Sequence, residues 1–116
     1  MYIEINNKKI NIIKCKSFKD KLLGLCFKKD KINNIYLFYK CNSIHTFFMK
    51  QNIDVCMIDK NNKIVFLKEN VSKNKILYSK KGHFTLEMPL NTCKYLKIND
   101  YIKLKEWLTH SFFSLI

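Results

Sequence analysis

The residues best equipped for chemistry crowd into one stretch, Cys41-Asn42-Ser43-Ile44-His45-Thr46-Phe47-Phe48-Met49-Lys50, followed by Ile53-Asp54-Val55 and Asp59. If Ile44 to Lys50 forms one strand, His45, Phe47 and Met49 share a face. Ile44, Thr46, Phe48 and Lys50 share the other, because side chains alternate along a pleat. Asp54 then starts the next strand across a short connection, and His45, Asp54 and Glu87 can meet at one rim. An imidazole beside carboxylates can shuttle a proton, hydrogen-bond a hydroxylated ligand or hold a metal. The metal option has little behind it. No HxH or HxxxH spacing occurs, and neither a metal nor another cofactor is expected. Nucleophilic chemistry is also weakly signalled, since no Ser, Thr or Cys is placed beside an evident base. Cys41 near His45 reads as an ordinary packed thiol. A competing account makes His45 and Asp54 structural, tying loops to backbone amides. Lys50 could face an anionic ligand.

The elements that must position these residues read mainly as strands. Residues 2–5 and 9–14 are two β runs around Asn6-Asn7-Lys8, and Asn tolerates the positive φ of a tight hairpin. Ser17-Phe18-Lys19-Asp20 caps a short helix that buries Leu22, Leu23 and Leu25 and leaves through Gly24. Ile35 to Tyr39 is a continuous apolar run, as in a buried strand, and Thr46 to Met49 is another. Asp54 to Ile58 and Lys63 to Lys68 form a hairpin around Asp59-Lys60-Asn61-Asn62. Val71 to Tyr78 is polar and reads as a loop. From His83 to Met88, polar His83, Thr85 and Glu87 alternate with apolar Phe84, Leu86 and Met88, which predicts one wet face and one dry face. Pro89 ends that run. Ile98 to Leu104 alternates less cleanly after the Asn99-Asp100 turn. The expected fold is all-β and mostly antiparallel, a compact sandwich-like barrel with one short N-terminal helix. Residues 1–105 form a single β domain. Residues 106–116 form an apolar tail, where Leu108, Phe112 and Leu115 make a helical stripe widened by Trp107, Phe113 and Ile116. That tail is a candidate C-terminal helix, packing on its own domain, self-associating or filling a partner's groove.

Composition narrows the classes of function. The chain has 116 residues, 47% hydrophobic and 14% aromatic, enough for one real core. It lacks Ala, the strongest helix former. The net charge is +13, yet every basic residue is Lys. A dedicated reader of nucleic acid is expected to use Arg for bidentate contacts, and the lysines spread from Lys8 to Lys105 without a long run. No specific nucleic-acid partner is expected, only weak, salt-sensitive sticking to polyanions. The five cysteines, at 15, 26, 41, 56 and 93, are odd in number and lack CxxC spacing. Free thiols imply a reducing compartment, hence a cytoplasmic protein. The N-terminus has no signal-peptide pattern, and no apolar run reaches the roughly 18 residues of a membrane span.

Several motifs together resemble a known family. The chain reads SIHTFFMKQNIDVCMID where the widespread bacterial and archaeal proteins called domain of unknown function 192 read like SIHTFFMK followed by IDVVFLD. Gly24-Leu25-Cys26-Phe27-Lys28 is similar to their GLMFR element, Leu86-Glu87-Met88-Pro89-Leu90-Asn91-Thr92 to LELPAGT, and Asn99-Asp100 to GD. The order is kept over about residues 18–104. Asn91 and Asn99 replace Gly, and Asn is the next best residue at positive φ. Lys28 replaces Arg, which weakens any bidentate anion contact. The resemblance implies a compact β barrel and supplies no function, since the family has none established.

The expected site is therefore His45, Thr46, Lys50, Asp54 and Glu87, the last of which falls inside a family-like motif. Three functions compete. The first is a domain binding a small polar or hydroxylated molecule at these residues. The second is a hydrolase-like enzyme with His45 and a carboxylate as acid and base. The third is an interaction module in which His45 and Asp54 are structural and the tail meets a partner. A concave polar pocket favours the first two, and His45 far from the carboxylates removes the second.

Overall fold

Asparagine shapes the turns of this chain. It has only two Gly, and among the described residues every positive-φ position except Lys40 is an Asn. Asn is the non-glycine residue that best tolerates this region. The computed structural model describes residues 1–16, 31–47 and 49–107. At the start, Asn6 and Asn7 take φ of 54° and 62° and join β1 (Tyr2–Ile5) to β2 (Lys8–Cys15). Ile5 pairs with Lys8, so the turn is Asn6-Asn7 alone, the pair of left-handed residues a two-residue hairpin requires. The hairpin between β5 (Ile53–Ile58) and β6 (Ile64–Val71) closes on Asp59. Its Oδ1 accepts the N–H groups of Asn61 and Lys63 at 2.8 and 2.9 Å, and Asn62 takes φ 66°. Both expected hairpins are present.

A six-stranded sheet runs in the order β1-β2-β3-β8-β5-β6, with β3 at Ile35–Phe38 and β8 at Phe84–Met88. All its neighbouring pairs are antiparallel except β2 with β3. The sheet curls as a half-barrel. A separate two-stranded ribbon pairs β4 (Ser43–His45) with β7 (Ile76–Tyr78). The expected all-β, mostly antiparallel fold is what the structure has. Among the described residues the only helical piece is a 3-10 turn at Cys93–Tyr95, and no helix is long and apolar enough to cross a membrane. The helix expected from Ser17 and the C-terminal helix lie outside the described residues.

Each face of the sheet carries its own core. Ile3, Ile12, Ile35, Leu37, Cys56, Ile58, Leu86 and Met88 pack on one face, closed by Cys93 and Ile102. Tyr36, Phe38, Ile53, Val55, Met57 and Met49 pack on the other, against Ile44 and Leu77 of the ribbon. This second core corrects the expected wet face of β8. That strand is central, between β3 and β5, so Thr85 is fully buried and Glu87 is 6% exposed.

Three other expectations change. Thr46, Phe47 and Met49, expected in a strand, lie outside one, because β4 stops at His45 and Thr46 turns the chain. The stretch read as a loop from Val71 contains β7, which gives Ser43 to His45 their ladder partner. Ile98 to Leu104 makes one isolated bridge, Tyr101 to Lys63, where a strand was expected.

Candidate functional site

Thr46 explains why β4 ends where it does. Its Oγ1 donates to the Ser72 carbonyl at 2.7 Å and accepts the Lys75 N–H at 2.9 Å. Its own N–H donates to the Lys75 carbonyl at 2.9 Å, and its carbonyl accepts the N–H groups of Met49 and Asn74. A fully buried hydroxyl with both capacities used locks the 46–49 turn against the 72–75 segment. That pairing out-competes the extended conformation expected from the apolar run.

Asp54 does the corresponding work at the start of β5. Between Ile53 and Val55 the β5–β6 register shifts, and Asn70, in the bulged stretch, takes φ 51°. A bulge frees a backbone donor from the ladder, and the Asp54 Oδ1 accepts the Asn70 N–H at 2.9 Å. Its Oδ2 accepts the N–H groups of Thr92 and Cys93, each at 2.9 Å. The Asn70 side chain passes the constraint on, its Oδ1 accepting from Asn52 Nδ2 at 2.9 Å.

These two anchors frame a groove of about 590 Å³ between the 49–52 and 72–74 segments. Its lining is Met49, Lys50, Gln51, Asn52, Ser72, Lys73 and Asn74. None of these side chains is acidic, and no ion pair among the described residues engages Lys50 or Lys73. Two ammonium groups, three amides and a hydroxyl therefore face one concavity, its floor set by buried Met49. Such a surface can donate hydrogen bonds to a polar solute and favours negative charge.

The five expected residues are distributed unevenly about it. Lys50 lines the groove and Thr46 fixes its wall. His45 is exposed at the end of β4. Its Nδ1 accepts the Phe47 N–H at 3.3 Å, and its ring stacks on Phe47 at 4.8 Å between centroids. Asp54 and Glu87 do not meet. Asp54 shares its face of β5 with Cys56 and Ile58, whereas Glu87 lies laterally beside Tyr36 and Val55, which belong to the opposite core. Burial pushes the Glu87 carboxyl up to about 7, from an ordinary value of 4.5. Burial likewise raises the thiol of Cys93, to about 12, and that of Cys56, so both stay protonated and unreactive. The Cys41 thiol donates to the Ser43 carbonyl at 3.1 Å. Among the described residues no cluster of His, Cys, Asp and Glu is gathered in the manner of a metal site. The Lys28 motif lies outside the described residues.

Sequence reasoning missed Gln51, Asn52, Ser72, Lys73 and Asn74. The polar run after Val71 was the available signal, but only folding shows that it faces Lys50. A family profile described as Uncharacterized ACR, domain of unknown function 192, matches residues 1–105. No curated protein matches the chain. Two crystal structures are similar. One is from Sinorhizobium meliloti 1021, provisionally described as a transcription regulator, with 14% identity, a TM-score of 0.73 and coverage of 88% of this chain and 89% of that one. The other is a protein of unknown function from Novosphingobium aromaticivorans DSM 12444, with 10% identity, a TM-score of 0.74 and coverage of 89% and 82%. At these identities the likeness is one of fold.

Proposed function

Because this chain belongs to the uncharacterised domain of unknown function 192 family, we propose a function from its own geometry: it binds a small polar molecule in the groove beside the SIHTFFMK segment. One observation carries this reading. The groove of about 590 Å³ is walled by Lys50, Gln51, Asn52, Ser72, Lys73 and Asn74, and its walls are held by the buried Thr46 and Asp54 anchors. A concave site with a few fixed polar groups is the usual form of a small-molecule site. Thr46 and Asp54 act as positioning residues, Lys50 touches the ligand, and His45 stands at the end of the adjoining strand. The hydrolytic alternative has less support. Both oxygens of Asp54 are taken by backbone donors, and Glu87 is buried between Tyr36 and Val55. A cytoplasmic location fits the free thiols Cys41, Cys56 and Cys93.

The test is a thermal-shift panel of polyols, sugars, organic acids and phosphates against the parent and Asn52→Ala. A ligand at a hundred times its dissociation constant stabilises by about 2.7 kcal/mol, several degrees for a domain of this size. A shift in the parent that shrinks in Asn52→Ala supports the groove. A panel without any shift, or one that Asn52→Ala leaves unchanged, removes it.

A further inference from the structure

We propose that the groove takes an elongated organic anion, with a phosphate or carboxylate head between Lys50 and Lys73 and an apolar arm reaching Ile32 and Leu90. The inference rests on the groove reading above and assigns its ligand class. A second hollow, of about 240 Å³, is lined by Lys31, Ile32, Gln51, Asn52 and Leu90. Gln51 and Asn52 line both hollows, so the two adjoin along a shared wall. That wall is fixed. The Gln51 Oε1 accepts the Ile32 N–H at 3.3 Å, and Asn52 is held by Asn70.

The two ends differ in chemistry. At the first stand Lys50 and Lys73 with Ser72 and Asn74, a surface of donors and positive charge. Lysine serves as a point-charge partner for phosphate or carboxylate. At the second, Leu90 is 41% exposed and offers an apolar surface to a ligand, with buried Ile32 and with Lys31 completing the lining. No ion pair among the described residues engages Lys31 either. A solute that is only a sugar leaves the lysines unmatched, and a bare inorganic anion leaves the Leu90 end empty. One molecule with a charged head and a short apolar arm satisfies both.

Calorimetric titration with three probes decides the matter: inorganic phosphate, n-hexyl phosphate and n-hexanol. Hexyl phosphate is expected to bind at least about tenfold more tightly than inorganic phosphate, the gain from burying about two methylenes. Leu90→Ser should erase that advantage and leave inorganic phosphate unchanged, while Ile98→Ser, an exposed apolar position elsewhere, should alter neither. Lys50→Gln combined with Lys73→Gln should weaken both phosphates about tenfold and steepen no other trend. Equal affinity for the two phosphates, or hexanol binding as tightly as hexyl phosphate, overturns the inference. If neutral polyols bind through Asn52 and no anion does, the anion falls while the groove reading stands. If no probe or polyol perturbs the amide resonances of residues 49–52 and 72–74, both fall.

Discussion

Asp54 holds three backbone donors with one buried carboxylate, and removing it strands them together. A buried unsatisfied donor costs about 1–3 kcal/mol. Asp54→Ala is therefore expected to lose roughly 3–5 kcal/mol in urea unfolding, and a loss below about 1 kcal/mol contradicts this role. Glu87 makes the opposite case, a carboxyl whose burial favours the neutral form. Its folded pKa is about 7 against an ordinary 4.5, so the folded state holds the proton more tightly than the unfolded chain does. Its contribution is fully present below about pH 4.5 and is lost as pH rises through 7. Relative to Glu87→Gln, the parent should lose roughly 3 kcal/mol across that window. Parallel stability profiles for the two proteins would refute it. At this scale the sequence pointed to the right side chains and could not give their directions. Thr46, Asp54 and Glu87 are all buried, but which face each addresses depends on a bulge at Asn70 and on β8 being central.

Turns were the most legible elements, because their chemistry is local. Asn6-Asn7, Asp59 to Asn62, Asn91 and Asn99 were all readable as left-handed or Asx turns, and the last two take φ of 67° and 78°. Buried β3 was equally plain, as an apolar run without a polar side. Long-range pairing was not legible. Nothing local in Ile76-Leu77-Tyr78 announces a partner in Ser43-Ile44-His45, and the end of β4 depends on Thr46 meeting a segment 26 residues away. The same limit hid the groove, whose two walls come from separate parts of the chain. The turn reading carries its own test. Asn91 is exposed, so its conformation and not its contacts should set the effect of replacement. Asn91→Gly is expected to stay within about 0.5 kcal/mol of the parent, whereas Asn91→Val should cost about 1–2 kcal/mol. Equal melting temperatures for the two variants would mean that φ does not matter there.

On the scale of the whole molecule, the first edge of the sheet is clasped by the far end of the chain. The Tyr2 N–H donates to the Lys105 carbonyl at 2.7 Å and the Lys105 N–H to the Tyr2 carbonyl at 2.9 Å. Trp107 packs on Tyr2 with ring centroids 4.3 Å apart and ring planes tilted by 34°, and its Nε1 donates to Asn11 Oδ1 at 3.1 Å. Such a clasp covers an unpaired strand edge, a site at which other chains can add. Its strength is small. Two backbone hydrogen bonds contribute about 1 kcal/mol each and an aromatic pair about 1 kcal/mol. The ion pairs of Glu106 with Met1 and Lys14, and of Lys105 with Glu4, are long and solvent-accessible, a setting in which such pairs add little. Against this stands an ordering cost of about 1–2 kcal/mol for each residue fixed. The net is far below the roughly 5–15 kcal/mol of a whole domain, so the clasp should open before the sheet melts. Trp107 is the only Trp in the chain, which makes its fluorescence a private reporter of this contact, while far-UV circular dichroism follows the strands. The fluorescence transition in urea should precede the dichroism transition, and Asn11→Ala should advance it further without moving the dichroism midpoint. Coincident transitions in both proteins would instead make the clasp part of the cooperative core.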